Sequence, residues 1–329
     1  MWGYTGKMAN KKLKIGVLFG GKSAEHEVSL QSAENIINSL DKNKYEIVSI
    51  KISKTGEFDF AKLEKVDVIF PALHGPFGED GIMQGVFREM GKPFVGAGVL
   101  GSAVGMDKDV MKRLLLQAGI PIGKFVVLRN HEKYNFAKIK KQLGLPMFVK
   151  PANMGSSVGV SKVKNEADFK KAISQAFLFD SKILIEEFID GRELECSVLG
   201  NEFPMASVPG EIISGQEFYS YDAKYVDSTS VCQIPAKIDK KTSKKIQELA
   251  IKTFQVLNCE GLGRVDFFLK KNGGVLVNEI NTLPGFTNIS MYPKLWEASG
   301  LPQTKLLDRL IELAIERFQK ESQLKTSLK

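Results

Sequence analysis

The sequence is poor in cysteine, histidine and tryptophan, and it has no long apolar run. Its three cysteines, Cys196, Cys232 and Cys259, include no C-x-x-C pair. An odd number cannot all pair within one chain, which argues against a disulfide scaffold and for reduced thiols in a cytoplasmic protein. Cys196 and Cys259 stand in apolar surroundings, the setting of small core residues rather than nucleophiles. The three histidines, His26, His74 and His131, show no ligand spacing, so zinc is not indicated. No stretch approaches the roughly 20 apolar residues that span a bilayer, and no membrane partner is expected. The opening MWGYTGKMANKK lacks the apolar centre of a secretory signal. Residues 1–12 read as a disordered extension, with Met8 as an alternative start. Dense basic blocks are also missing. The net charge of +8 is spread among interspersed acids and bases. That pattern argues against a nucleic-acid face and suits a small polyanion such as a nucleotide.

What is present is an alternation of short apolar runs and helix-spaced segments. LKIGVLFG (13–20), YEIVSIKIS (45–53) and VDVIFPAL (66–73) read as strands. EVSLQSAENIINSL and GIMQGVFREMG (81–91) have helical spacing. This predicts an α/β domain with a Rossmann-like parallel sheet over 13–105. A helix at 107–118 meets stop signals at Gly119 and Pro121. The short runs FVVL, MFVKP, GVSKV and KILIEEFI then mix with helices near 135–143 and 166–179, an α+β domain over 106–190. From RELECSVLG the chain is rich in strands. A polar loop at 214–230, helices near 240–257 and 303–320 and a hairpin between them complete a third domain over 191–329.

Gly96, Gly98 and Gly101 spell G-x-G-x-x-G, the spacing of a dinucleotide-binding turn. A true fingerprint closes the first strand and has an acid about 20 residues later. Here the motif follows a late strand, and PIGKFVV occupies the acid's place. A flexible turn leading to a helix at Met106 fits better than a nicotinamide site. The first strand does end in a glycine turn, FGGKSAEHEVSL. Its Glu25 stands before a helix, where it either caps that helix or meets a cation at the carboxyl end of the sheet.

The segment GLGRVDFFLKKNGGVLVNEINTLPG has two apolar runs around Asn272-Gly273, a strong hairpin signal. A two-residue loop sets Asp266 opposite Glu279 and Arg264 opposite Asn281, all on one face. Val265, Phe267, Leu269, Leu276 and Ile280 fall on the other face, with Asn278 as the exception. Opposed carboxylates repel. A divalent cation with hard oxygen ligands would offset that, and Asn281 adds an oxygen. The alternatives are an Arg264–Asp266–Glu279 salt cluster, or a longer loop that shifts the register.

VKPANMGSSVGVSK (149–162) is a small-residue turn between strands. Its backbone N–H groups and hydroxyls can cradle phosphate, though it carries no G-K-[ST]. A plain turn is the alternative reading. Lys150 ends the strand before the turn, and with Lys108 it could clamp a nucleotide, though Lys108 is alternatively a surface helix residue. ILIEEFIDGRE (183–193) can present backbone groups to a base edge with its acids nearby, or be a strand with exposed acids.

In chain order, GGKSAEHEVSL, ALHGPFGEDG, MDK, KPANMGSSVG, LIEEFIDGRE, YDAKY, GRVDFFL and NEINTLPG resemble the motifs of the D-alanine–D-alanine ligase family of the ATP-grasp superfamily. The resemblance spans about residues 13–320. Each motif is modest alone, and their shared order is specific. It implies a three-domain ATP-grasp architecture, α/β and α+β, with ATP between the central and C-terminal domains. By this resemblance Lys108 and Lys150 contact phosphates, with Gly155 and Ser157 in the loop that folds over them. Glu186, Glu187, Phe188, Ile189 and Glu193 would hold adenine and ribose, with Phe218 nearby. Asp266, Glu279 and Asn281 would bind two Mg²⁺ ions, with Mn²⁺ able to replace them. Glu25 would receive the ammonium of a first D-alanine and be linked through Ser156 to Tyr225 on the 214–230 lid. His74 would line the first subsite, Lys224 would contact substrate, and Ser290 would meet the second D-alanine's carboxylate. Arg264 and the backbone N–H of Gly285 would stabilise an oxyanion.

The implied activity is ATP-dependent, ADP-forming ligation of two D-alanines through an acylphosphate, for peptidoglycan precursors, in a cytoplasmic homodimer. The same-class alternative is a D-alanine–D-lactate or other carboxylate–amine ligase. An NAD-dependent dehydrogenase built on the G-x-G-x-x-G stretch is the different-class alternative, and a basic nucleic-acid module is a third. Relatives that make the D-lactate product replace the lid tyrosine, so Tyr225 favours the dipeptide. Leu283 stands where a small polar residue is frequent, a departure that leaves its motif intact.

Overall fold

The computed structural model describes residues 12–213, 231–325 and 327. Phe218, Lys224 and Tyr225 lie outside the described residues, as does the expected extension apart from Lys12. Strands β1 (Leu13–Gly20), β2 (Tyr45–Ile52) and β3 (Val68–Ala72) form a parallel sheet in the order β2-β1-β3. Every residue of β3 is buried, as expected for a parallel strand covered on both faces. The helices of this part are α1 (His26–Ser39), α2 (Phe60–Glu64), α3 (Ile82–Glu89) and α4 (Val99–Met106).

Helix α4 corrects one expectation. Residues 99–106 are helical, where the clustered glycines suggest a flexible turn. Gly101 lies so close to the carbonyl oxygen of Asn258 that a Cβ would sit 2.4 Å from it, and one on Gly105 would sit 2.6 Å from Thr282 Cγ2. These glycines let a helix pack tightly; they do not loosen a loop.

Helix α5 (Lys108–Gln117) follows directly, capped by Asp107, whose carboxylate accepts from the N–H groups of Asp109 and Val110. A second, antiparallel sheet contains β4 (Phe125–Arg129), β5 (Met147–Pro151), β6 (Ser161–Val163) and β7 (Lys182–Glu187) in the order β4-β7-β5-β6. Helices α6 (Phe136–Leu143) and α7 (Glu166–Ala176) cover it, packing Ile139, Phe169 and Ile173 on Val149, Ile183 and Ile185. The third sheet is built from β8 (Gly191–Gly200), β9 (Met205–Ala206), β10 (Gly210–Ile213), β11 (Val231–Gln233), β12 (Gly261–Lys270) and β13 (Val275–Asn281). Its order is β11-β10-β8-β12-β13, with β9 on β8. Helices α8 (Lys240–Val256), α9 (Met291–Ala298) and α10 (Gln303–Ser322) complete the described chain.

The β12–β13 hairpin differs from its expected form in two compensating ways. Lys270 N–H and Gly274 C=O close a three-residue loop over 271–273, with Gly273 in the left-handed region at φ 80°. A bulge between Asp266 and Phe267 then absorbs the extra residue. Beyond it the expected pairs return: Asp266 opposite Glu279, Val265 opposite Ile280, and Arg264 opposite Asn281. The bulge also places Val275 and Val277, not Leu276, on the buried face and leaves Asn278 off it.

Two cores cross the chain's linear divisions. Ile15, Val17, Val68 and Phe70 of the first sheet pack with Leu283, Phe286, Leu306, Leu310 and Ile311 from the last stretch of chain. Met111 and Leu115 of α5 enter the core of the third sheet beside Val265, Phe267 and Val277. Among the described residues, no helix is long and apolar enough to cross a membrane.

Candidate active site

A cavity of about 430 Å³ lies between the second and third sheets. Strand β7 sends Glu186 into it, and β5 sends Lys150 from the neighbouring strand. Lys150 Nζ lies 2.7 Å from Glu186 Oε2, and Lys112 Nζ, from α5, lies 3.0 Å from Oε1. Burial pushes the Glu186 carboxyl up, but the two lysines outweigh it and hold the group at about 2. Burial lowers the ammonium groups of Lys108 and Lys112, while Lys150, also buried, is raised by Glu186 and Glu279. Glu187 turns its carboxylate to the backbone N–H of Lys124, 2.8 Å away. Phe188 stacks near Phe148 with Lys162 5.0 Å over its ring. Ile189 and Glu193 continue the same wall.

The roof is the turn at 154–159. Ser156 and Ser157 both take positive φ, 47° and 61°, which is uncommon for non-glycine residues. Gly155, Ser156 and Ser157 line the cavity, and a turn of this kind can offer backbone N–H groups and hydroxyls to an anion. Lys108 Nζ donates to Met154 C=O at 2.7 Å and lies 3.7 Å from Glu279 Oε2. It therefore joins this turn to the hairpin.

Register lines up three carboxylates across the third sheet: Glu195 of β8, Asp266 of β12 and Glu279 of β13. Arg264 offsets part of that repulsion. Its Nε and Nη2 each lie 2.8 Å from an Asp266 oxygen, and Nε lies 3.0 Å from Glu195 Oε2. The salt cluster and the oxygen-rich face thus coexist. Asn281 Oδ1 is buried with no hydrogen-bond partner among the described residues. An orphaned acceptor beside opposed carboxylates fits a hard cation. No cluster of three or more His, Cys, Asp or Glu side chains forms a ready cage among the described residues.

Beyond the turn lies a second group of residues. Glu25 stands at the start of α1, yet its side chain makes no capping bond. Its Oε1 instead accepts from Ser156 Oγ, and its Oε2 lies where a Cβ on Gly75 or Gly155 would crowd it at 2.7 and 3.0 Å. The capping alternative therefore fails. His74 is buried, and burial lowers it below the ordinary histidine range. Its Nδ1 donates to Leu283 C=O at 3.2 Å, since a carbonyl can only accept. The neutral ring then accepts at Nε2 from Ser32 Oγ, 3.1 Å away, and Ser32 Oγ accepts from the N–H of Phe286. This chain brackets Gly285. A Cβ on Gly285 would lie 3.0 Å from Ser290 Oγ, so these two also meet.

Lys108, Lys150, Gly155, Ser156, Ser157, Glu186, Glu187, Phe188, Ile189, Glu193, Asp266 and Glu279 line one cavity. Glu25 joins them through Ser156, and Arg264 through Asp266. His74, Gly285 and Ser290 form the adjoining group. Sequence reasoning missed Lys112, Glu195, Glu79 and Ser32. Glu195 had a signal, because Glu193 and Glu195 alternate in RELEC and share a strand face. Glu79 stands in ALHGPFGEDG; it accepts the N–H of Gly75, and burial, with Glu25 nearby, raises its carboxyl well above the usual range.

The chain is similar to known proteins along nearly its whole length. A family model described as the D-ala D-ala ligase C-terminus matches residues 114–312, and its N-terminal counterpart matches 14–64 and 59–97. A D-alanine–D-alanine ligase of Oceanobacillus iheyensis is 50% identical over 361 residues, covering 96% of this chain and 99% of that protein. The structure of a D-alanine–D-alanine ligase from Coxiella burnetii matches with a TM-score of 0.87 at 40% identity, over 95% of this chain and 97% of that one. A D-alanine–D-alanine ligase from Bacillus anthracis, complexed with ATP, matches with a TM-score of 0.83 at 32% identity, over 94% and 99%.

Proposed function

The chain belongs to the D-alanine–D-alanine ligase family, and from that premise we propose that it joins two D-alanines with ATP as the phosphoryl donor. The observation that carries this reading is the Ser156–Glu25 contact. It sets a buried carboxylate, fit for an ammonium, beside a lysine-lined cavity fit for a triphosphate. Adenine and ribose take the wall from Glu186 to Ile189 with Glu193. Lys108, Lys150 and the N–H groups of the 154–159 turn receive the phosphates.

Glu25 fixes the first D-alanine by its ammonium, and His74 lines that subsite. The carboxylate of this D-alanine takes the γ-phosphoryl group, giving an acylphosphate and ADP. The amine of the second D-alanine attacks, guided by Ser290 on its carboxylate. Arg264, already oriented by Asp266 and Glu195, and the N–H of Gly285 stabilise the tetrahedral oxyanion before phosphate leaves. Asp266, Glu279 and Asn281 would hold two Mg²⁺ ions, or Mn²⁺ in their place, which neutralise phosphate charge. The chain's own contribution is mostly positioning and charge complementarity.

Tyr225 in the sequence favours D-alanine over D-lactate as second substrate, Lys224 would contact substrate, and the family resemblance assigns Phe218 to the adenine's neighbourhood. In this reading the enzyme is a cytoplasmic homodimer that supplies peptidoglycan precursors. An ADP-release assay tests the core of it. Magnesium-dependent ADP formation should require D-alanine and ignore L-alanine, with D-alanyl-D-alanine as product. Tight NADH binding with no D-alanine turnover would sink it.

A further inference from the structure

We propose that Lys112 sets the base preference of the nucleotide site by fixing the Glu186 carboxylate from behind. This rests on the reading above that ATP occupies the cavity with its base against residues 186–189. Lys112 stands one turn beyond Lys108 on α5, so the two share a helix face. Lys108 lines the cavity and Lys112 does not. Only 2% of the Lys112 side chain is exposed. Its Nζ lies 3.0 Å from Glu186 Oε1, 3.4 Å from the carbonyl oxygen of Asn278 and 5.9 Å from the ring centre of Phe125.

A lysine so buried is costly unless its charge is matched. Lys108 and Lys150 already face the phosphate region, so the charge that Lys112 matches is that of Glu186. Among the described residues Oε1 is buried with no aligned hydrogen bond, and the ammonium of Lys112 lies beside it. Oε2 meets Lys150 at the cavity wall. A cation at each oxygen stops the carboxylate from rotating and keeps it a pure acceptor. Held that way, Glu186 welcomes the exocyclic amino group of adenine and repels the carbonyl that hypoxanthine carries at the same position. Lys112 touches no part of the nucleotide; it is a positioning residue.

Calorimetric titration of the full chain with ATP and with ITP, both with magnesium, tests the proposal. Lys112→Met should lower the preference for ATP over ITP by about tenfold or more, through loss of a polar match at the base edge. The KM for D-alanine should not change. In a Glu186→Gln background the same substitution should alter the preference no further, because the effect passes through Glu186. A folded Lys112→Met protein with the wild-type preference overturns the proposal. So does an equal loss in both backgrounds, which marks a merely structural role. If Lys112→Met does not fold, Lys112→Gln keeps the stem and a donor without the charge, and it is judged by the same two outcomes. Wild-type protein that binds no ATP overturns this proposal and the reading beneath it. Wild-type protein that binds ATP with preference over ITP but never turns over D-alanine overturns only the ligase reading.

Discussion

At Asn281 a buried side-chain oxygen has no hydrogen-bond partner among the described residues, a cost of about 1–3 kcal/mol in a fold that keeps few such groups. A structural role would not retain it, but a ligand role would. Asn281→Leu should therefore leave the melting temperature unchanged or raise it, while turnover falls by about 100-fold or more. Thermal unfolding and ADP release on one preparation check both halves. A clear loss of stability with normal turnover would reverse the assignment. Glu25 gives the complementary case. Its carboxylate caps no helix and faces Ser156, Gly75 and Gly155. Glu25→Gln should raise the KM for D-alanine by about tenfold or more, by removing the charge that meets an ammonium, and leave ATP affinity near wild type. A raised Kd for ATP with an unchanged KM for D-alanine would move Glu25 to the nucleotide side.

At the level of elements, His74 ties the end of β3 to α1 through Ser32 and to the turn after β13 through Leu283. Burial keeps the ring neutral, below the ordinary histidine value. The unfolded chain takes up the proton first, near pH 6.5. The stability this arrangement contributes is thus present above that pH and declines as pH falls below it. The unfolding midpoint should drop from pH 7.5 to pH 5.5, and His74→Gln should flatten that slope; an unchanged slope would show that His74 does not set it. The same elements mark what the sequence makes legible. Period-two alternation and Asn272-Gly273 suffice to set Asp266 opposite Glu279. The pairing holds only because a three-residue loop and a bulge cancel, and local propensity does not reveal a bulge. Lys112 and Ser32 stayed hidden for another reason. Each sits at ordinary helix spacing, and its partner is supplied by a distant strand or turn. Gly101 misled because a glycine that admits a neighbouring backbone looks, in sequence, like one that loosens a turn. Gly101→Ala should destabilise the protein by about 1–3 kcal/mol through overpacking against Asn258, with the KM for ATP unchanged. Denaturant unfolding measures it, and a loss of ATP affinity at full stability would return that motif to the cofactor site.

Across the whole molecule, sheet boundaries along the chain do not coincide with core boundaries. The first sheet buries Val17, Val68 and Phe70 against Leu306, Leu310 and Ile311 of α10, nearly the full chain away. Arg317 on the same helix is buried and donates to the carbonyls of Gly96 and Phe94 at 2.5 and 2.8 Å, pairs with Glu260 at 3.3 Å, and stacks over the Phe94 ring. The G-x-G-x-x-G stretch is therefore a seat for the C-terminal helix. Tyr45 and Lys44 make a second clasp on Asp308. A fragment of residues 12–105 would expose one face of its sheet, so it should show no cooperative unfolding, while the full chain melts with the first sheet and α10 in one transition. Arg317→Ala strands two buried carbonyls and an acid, and should cost about 2–4 kcal/mol without changing the KM for either substrate. Hydrogen exchange locates the damage. Protection should fall together in β1, β3 and α10, because one core holds them. Loss confined to α10, with β1 and β3 protected as in wild type, would show that the first sheet is stable by itself and that the clasp only docks a helix on it.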